Sequence, residues 1–406
     1  MLKKIGYSTA ILLLFNTQAA TAAISDNIHI NGFLTAAVAK LDEEANLAGV
    51  DDEASFDALS VFGLQLSVDV DDRLSITTQL LGRGIDDYNI EAEWAFAKYK
   101  INDTLDIRAG KMRLPYFFYS DYLDVGHTYP WITPPIEAYG SMPTSIYNGV
   151  DLLYYREFGD YTVRFQPFVG QSNDRIRLTT TGEEADLTFD NMRGIILHAT
   201  DDTFTFRLMV EKHSLTLGLE DTPTTSGLFD ALLANGFPDV VEQMNAHDED
   251  VTFLEAGFSY DEGNVLVIGE WTSRDIDGSV LPEKATGYYA TFGYRFGEWM
   301  PHITFSKEES DVRPEITAPF PSDVPELAGL ISTVEAARQS GDLSQESVTI
   351  GLRYDFTENA ALKFEWKHVK SELGVNSFGT TGLLTKVSPD YDGNLDQLGM
   401  ALSVVF

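Results

Sequence analysis

Arg83, Arg108, Arg164, Arg207, Arg295 and Arg353 share a setting: each sits in a run where apolar residues occupy the alternate positions, as with Arg108 between Ile107 and Ala109 and Arg207 between Phe206 and Leu208. A second set of chemistry-bearing residues, Asp121, Asp124, His127 and Glu137, lies in "LPYFFYSDYLDVGHTYPWITPPIEAYGSMPTSIY", Leu114 to Tyr147. Guanidinium groups facing carboxylates across a water-filled gap set up a transverse field, which orients polar solutes and disfavours apolar ones. That chemistry is electrostatic, not covalent. The chain has no G-x-S-x-G elbow, no phosphate loop and no H-E-x-x-H pair. Asp390-x-Asp392-x-Asn394-x-Asp396 approaches a calcium loop, but Gly393 stands at its fourth position and Ala401 at its twelfth, where glutamate belongs. No catalytic residue, metal or cofactor is expected. The alternative for each arginine is a simple pair along its own wall, with Glu211, Glu270 or Asp355 as partner.

The bulk numbers narrow the setting. There are 63 acids against 28 bases in 406 residues, a formal charge of −35. Phosphate backbones need clustered Lys and Arg, so nucleic acid is excluded as a partner. There is no cysteine. The first 22 residues carry Lys3 and Lys4, an apolar run from Ala10 to Phe15 and Ala20-Thr21-Ala22. These are the three regions of a cleaved secretory signal, too short to span a membrane as a helix. Residues 23–406 then form the mature domain.

The elements that position the charged residues are strands. Leu64, Leu66 and Val68 alternate with Gln65 and Ser67, and Phe204, Phe206, Leu208 and Val210 alternate with Thr205, Arg207 and Met209. The chain's end does the same: Leu398, Met400, Leu402, Val404 and Phe406 share one face. Period two with one apolar face is the strand signature. Sixteen such segments are expected, at 28–38, 59–70, 74–84, 90–101, 105–113, 148–157, 161–171, 188–199, 203–213, 251–260, 265–274, 285–296, 299–307, 346–356, 360–370 and 395–406. Fourteen and eighteen remain alternatives. In the eighth, neither parity around Met192 to His198 marks the outer face.

The connectors alternate in length. Tight polar ones (71–73, 102–104, 159–160, 201–202, 261–264, 297–298, 357–359) take turns with mostly long ones (41–58, 114–147, 172–187, 215–250, 308–345, 372–393). Up-and-down strands that close on themselves put all the short turns at one rim and all the long loops at the other. Closure also explains why a large aromatic ends the chain: the last strand must pair with the first, or leave unpaired backbone groups in lipid.

A signal segment, sixteen alternating strands and a terminal Phe406 together resemble the Gram-negative outer-membrane porin family, over the whole mature chain. The resemblance implies an all-β, closed antiparallel transmembrane barrel with short periplasmic turns and long extracellular loops. It implies a third loop, 114–147, folded inward to narrow the channel, where Asp121, Asp124, His127 and Glu137 face a basic wall of Arg83, Arg108, Arg164, Arg207, Arg295 and Arg353. It further implies a homotrimer in the outer membrane, contacts with lipid and lipopolysaccharide, and Phe406 as the signal read by the barrel-assembly machinery. The expected function is passive diffusion of small hydrophilic solutes and ions, with a substrate-selective channel for sugars or anions such as phosphate as the alternative. The sequence departs from the enterobacterial members, whose third loop carries a Pro-Glu-Phe-Gly-Gly run that is missing here.

Two long loops read as partly helical. Ser226 to Ala246 breaks at Pro238, and Ser322 to Gly341 has Leu327, Leu330, Ile331 and Val334 at helical spacing. The first loop, "DEEANLAGVDDEASFD", holds seven acids and no base. It is expected either to be simply solvated or to enrich cations at a channel mouth and bridge divalent ions to lipopolysaccharide phosphates.

Overall fold

The computed structural model describes residues 27–140, 142–178, 181–277, 281–312, 320 and 327–406. The expected signal segment, 1–22, and Ser322 lie outside the described residues. Sixteen antiparallel strands form one closed barrel: β1 (Ile28–Leu41), β2 (Val61–Asp69), β3 (Leu74–Arg83), β4 (Ile90–Asn102), β5 (Leu105–Arg113), β6 (Ile146–Phe158), β7 (Tyr161–Arg177), β8 (Glu184–Thr200), β9 (Phe204–Leu217), β10 (Ala246–Glu262), β11 (Val265–Ile276), β12 (Lys284–Tyr294), β13 (Trp299–Asp311), β14 (Gln345–Thr357), β15 (Ala360–Lys370) and β16 (Asn394–Val405). Each strand pairs with its sequence neighbours, and β1 pairs with β16 from Phe33↔Val405 to Leu41↔Gln397. The terminal residue completes that seam. Gly32 and Phe406 exchange both backbone hydrogen bonds, at 2.7 and 2.9 Å. The Phe406 ring lies so close over Gly32 that any Cβ there would collide with it.

The short turns are built by side chains that replace missing backbone partners. Asp71 Oδ1 accepts from the amides of Arg73 and Leu74 at 2.8 and 2.9 Å, and Asn102 Oδ1 accepts from Thr104 at 2.9 Å. The Asn102 side chain thus closes the turn that leads into β5.

Alternation sets the two surfaces. On β1, Phe33, Thr35 and Ala37 are buried inside, while Leu34 is 40% exposed outside. Leu64, Leu66, Ile76, Leu80, Ile303 and Ile350 join an outer band of exposed apolar side chains. Aromatic residues edge that band, with Phe158, Tyr294, Phe296, Trp299 and Phe356 toward the short turns and Trp271, Phe305 and Trp366 toward the long loops. A continuous apolar surface of this extent is stable only against lipid tails or another apolar surface.

One expectation is corrected. The connector expected at 172–187 is mostly strand: β7 and β8 continue to Arg177 and back from Glu184. Their upper inward faces are apolar, and Leu187 and Phe189 pack with Leu217 and Val251 under three helices, α1 (Pro223–Ala234), α2 (Pro238–Met244) and α3 (Ala328–Ser340). This core, with Leu232, Val240 and Val334, fills one side of the long-loop mouth. The parity of β8 is ambiguous in sequence because a bulge between Asp190 and Arg193, with Asn191 at φ 55°, reverses it mid-strand. Across the mouth the first and last long loops clasp: Asn46 bridges to Thr385, and Leu41, Leu47 and Val50 pack against Leu384, Val387 and Leu395.

An outward charge tests the assignment of faces. Ile350 lies in the middle of β14 and is 51% exposed. Ile350→Arg is expected to destabilise the barrel refolded in phospholipid vesicles by about 2–4 kcal/mol, measured by denaturant unfolding, with Ile350→Leu close to neutral.

Candidate functional site: a charged loop across the barrel interior

The segment between β5 and β6 runs through the barrel and touches nearly all of its wall. It leaves β5 beside β9, where Arg207 donates to the Pro115 and Tyr116 carbonyls and to Glu255. Phe118 N and Tyr139 Oη donate to Glu270 on β11 at 2.8 and 2.9 Å. Trp131, 1% exposed, donates from Nε1 to Thr304 on β13 at 2.8 Å. On β14 and β15, Arg353 donates to the carbonyls of His127 and Tyr129 at 2.8 and 2.9 Å. Lys363 Nζ reaches three carbonyls, those of Gly126, Tyr129 and Trp131. Ile132 N donates to Glu365 at 2.9 Å. Wall cations therefore satisfy loop carbonyls, and wall carboxylates satisfy loop amides, where water is scarce. The prolines suit this path because they hold φ and remove amides that would otherwise need partners.

The acids of the loop meet the arginines of the opposite wall. Asp124 is clasped by Arg83 Nε at 3.1 Å and by Arg113, and both arginines also hold Glu93, at 3.2 Å each. Burial pushes the Asp124 carboxyl up, but the Arg113 and Arg83 charges outweigh it and hold it below its ordinary value. Asp121 faces Arg164 at 3.9 Å. Arg108 pairs with Asp151 at 2.5 Å and lies over the Phe96 ring at 5.4 Å. On the long-loop side of the Asp124 cluster a cavity of about 300 Å³ is lined by Arg83, Leu123, Asp124 and Tyr129. On the short-turn side a cavity of about 570 Å³ is lined by Gln79, Arg108, Asp121 and Tyr122.

The expected site residues thus fall into three groups. Arg83, Arg108, Arg164, Asp121 and Asp124 come together beside these cavities. Arg207, Arg353 and His127 belong to the anchoring of the loop: His127 contributes its carbonyl, and Arg353 also pairs with Asp355 at 2.7 Å, the wall partner named among the alternatives. Two residues stand elsewhere. Arg295 follows β12 in a short turn and pairs with Asp261 at 2.6 Å, because β12 ends one residue before it. Glu137 turns away from the basic wall and is wholly buried, accepting from Ser306 and Gln345 at 2.9 Å each.

Sequence reasoning missed Arg113, Glu93 and Lys363. Arg113 is the last residue of β5, where the turn into the loop overrides parity, and Glu93 sits at a bulge between β3 and β4. Lys363 had a readable signal, since it lies on the inward parity of β15 between Leu362 and Phe364. Among the described residues no group of three or more His, Asp or Glu side chains is placed to hold a metal ion.

The lowered pKa of Asp124 fixes the sign of its pH dependence. A carboxylate depressed in the folded state contributes above its unfolded pKa and is lost as pH falls through the folded one. The loop is therefore expected to resist pepsin at about pH 4, near the ordinary Asp value, and to be cut near Leu123 only below it. Asp124→Asn is expected to be cut there already at about pH 4.

No protein-family model and no curated protein matches the chain. Solved structures do. The outer membrane channel DcaP of Acinetobacter baumannii matches with a TM-score of 0.57 at 10% identity, over 93% of this chain and 97% of that one. Salmonella typhi OmpF, in complex with daunomycin, matches with 0.55 at 13% identity, over 94% and 98%. The trimer form of OmpT, an outer membrane protein of Vibrio cholerae, matches with 0.52 at 13% identity, over 93% and 99%. The chain has the closed sixteen-stranded fold that its resemblance to Gram-negative outer-membrane porins implies.

Proposed function

We propose that this protein is an outer-membrane porin, a non-catalytic channel for passive diffusion of small hydrophilic solutes and ions. The observation that carries the reading is the third loop crossing the barrel with Asp121 and Asp124 against Arg164, Arg83 and Arg113. Such a constriction filters by size and charge within a water-filled lumen. The likeness to DcaP, described as an outer membrane channel, supports it. Residues 1–22 serve as the export signal, and Phe406 offers the barrel-assembly machinery a C-terminal aromatic, 68% exposed beside the seam. The acidic long loops face lipopolysaccharide and the outside.

The assembly is a homotrimer in this reading. The short strands β2, β3 and β5, of 9, 10 and 9 residues, form the low wall of the barrel. Beside them Ala95, Ala97 and Ala109 present small outward side chains that let a second copy approach closely. The OmpT match is to a trimer form.

One observation favours the substrate-selective alternative. Asp124 is in direct contact with Arg83 and Arg113, so this narrowing is bridged by ion pairs instead of being left as an open field. A polar solute that replaces those pairs passes more readily than one that does not.

Reconstitution in planar bilayers tests the reading. Stepwise current in triplets, with cation selectivity that weakens as salt rises, is the expected result. Arg108→Ala and Arg164→Gln should each shift the single-channel current and the reversal potential. Intact barrels that carry no current would refute the channel.

A further inference from the structure

On the outer face of the barrel, near the long loops, several bases stand opposite acids. Lys284 on β12 faces Asp275 and Asp311 across the sheet, and Lys307 and Lys370 both face Glu346. One place breaks that order. Arg193 on β8 and Lys212 on β9 are register partners. Such partners bring their Cβ atoms within about 5 Å, and like charges so placed repel. Both side chains are exposed, between inward residues that are buried: Met192 beside Arg193, and Glu211 and His213 beside Lys212. Arg193 Nη1 donates to the Asn191 carbonyl at 3.4 Å, and among the described residues neither base is ion-paired with a carboxylate. The acids nearest in register, Asp190 and Asp250, oppose Ser214, one outward position closer to the long loops. A bulge makes this placement. Leu187 and Phe189 face inward, so plain alternation would send Arg193 inward as well. The extra residue between Asp190 and Arg193, with Asn191 at φ 55°, turns Arg193 outward, as bulges re-aim side chains elsewhere. Asparagine tolerates the left-handed backbone that this requires. Toward the short turns the same outer faces are apolar and exposed: Ile195 and Leu197 on β8, Leu208 and Val210 on β9, with Val169 on β7 opposite Arg193. The two bases therefore stand at the long-loop edge of the apolar band.

We propose that Arg193 and Lys212 together bind the phosphate of a lipid in the leaflet nearest the long loops, its acyl chains lying on Ile195, Leu197, Leu208 and Val210. An anion between the two bases relieves their mutual repulsion. Arg193 offers a planar fork of N–H donors, and Lys212 a compact charge on a flexible stem. At this edge the stems lie along apolar surface while the charged heads reach headgroup level. A soluble anion gains nothing from the apolar faces beneath, whereas a lipid covers them. The contact differs from the divalent-ion bridge expected of the acidic loops, because here the protein supplies the positive charge itself. The inference rests on the outer-membrane reading of the barrel and holds whether or not the barrel conducts.

Native mass spectrometry of the detergent-solubilised protein, with EDTA present, tests it. The probes are dioleoyl phosphatidic acid, dioleoylglycerol as the same lipid without the phosphate, and inorganic phosphate as the same group without the lipid. Phosphatidic acid is expected to bind about tenfold tighter than either of the others. Arg193→Gln and Lys212→Gln should each weaken it by about the same factor, and Arg193→Lys should keep most of the binding. Lys284→Gln, which removes a base that already faces two acids, should leave it unchanged. Dioleoylglycerol or inorganic phosphate binding as tightly as phosphatidic acid overturns the site. So does binding seen only when EDTA is omitted, or an equal loss in Lys284→Gln. Insertion into phospholipid vesicles separates the two claims. A protein that inserts but does not bind phosphatidic acid overturns the site and leaves the membrane reading, and one that binds it in detergent but never inserts overturns the membrane reading and leaves the site.

Discussion

A sheet that meets lipid on its outer face has no solvent to satisfy its backbone, so every amide and carbonyl must find a partner within the protein. The pairing of β1 with β16 meets that demand, and the other features depend on it. Closure removes both edges at once, which is why the last residue is tied down by two backbone hydrogen bonds to Gly32. Closure also fixes which side chains face inward. Once the ring is complete, parity sends Leu34 and Ile350 outward and Arg108, Arg207 and Lys363 inward with no further choice.

Inside, the same constraint recurs at smaller scale. The third loop is irregular chain in a confined space, and its backbone groups are met mostly by side chains. Lys363 and Arg353 make five hydrogen bonds to four carbonyls between Gly126 and Trp131, both cations meeting that of Tyr129. Glu270 and Glu365 take two amides. Desolvating these charges is expensive, and the loop recovers that expense only by holding one path. Arginines that look alike in the sequence thereby divide into two roles. Some hold the loop in place, and others face what passes it.

Strand positions, rim asymmetry and the inward course of the third loop were legible because each follows from local pattern: period-two hydrophobicity, turn chemistry such as Asp71, and proline density. The site was only partly legible. Arg83, Arg108 and Arg164 obey strand parity and were readable, whereas Arg113 and Glu93 sit where a strand ends or bulges and parity fails. Arg295 was misplaced because parity gives a face and not a height, so a turn residue is read as a wall residue. Glu137 was misplaced because the direction of a loop side chain follows from its partners, Ser306 and Gln345, which lie more than 160 residues away in sequence. The extension of β7 and β8 was hidden because their upper inward residues face protein where the lower ones face a polar interior.

The clasp between the first and last long loops draws its two halves from opposite ends of the chain, Asn46 and Thr385. Each half folds back on itself locally, Leu47 bridging to Val50 and Thr381 to Leu384, but the bridge between the halves is out of reach until the two ends of the barrel have come together. It then sits directly above the seam, where a ring of strands would be easiest to prise apart. The molecule thus carries a buckle that fastens only on a finished belt: a chain truncated at either end loses the buckle together with the closure, and a half-made barrel has nothing to hold it shut.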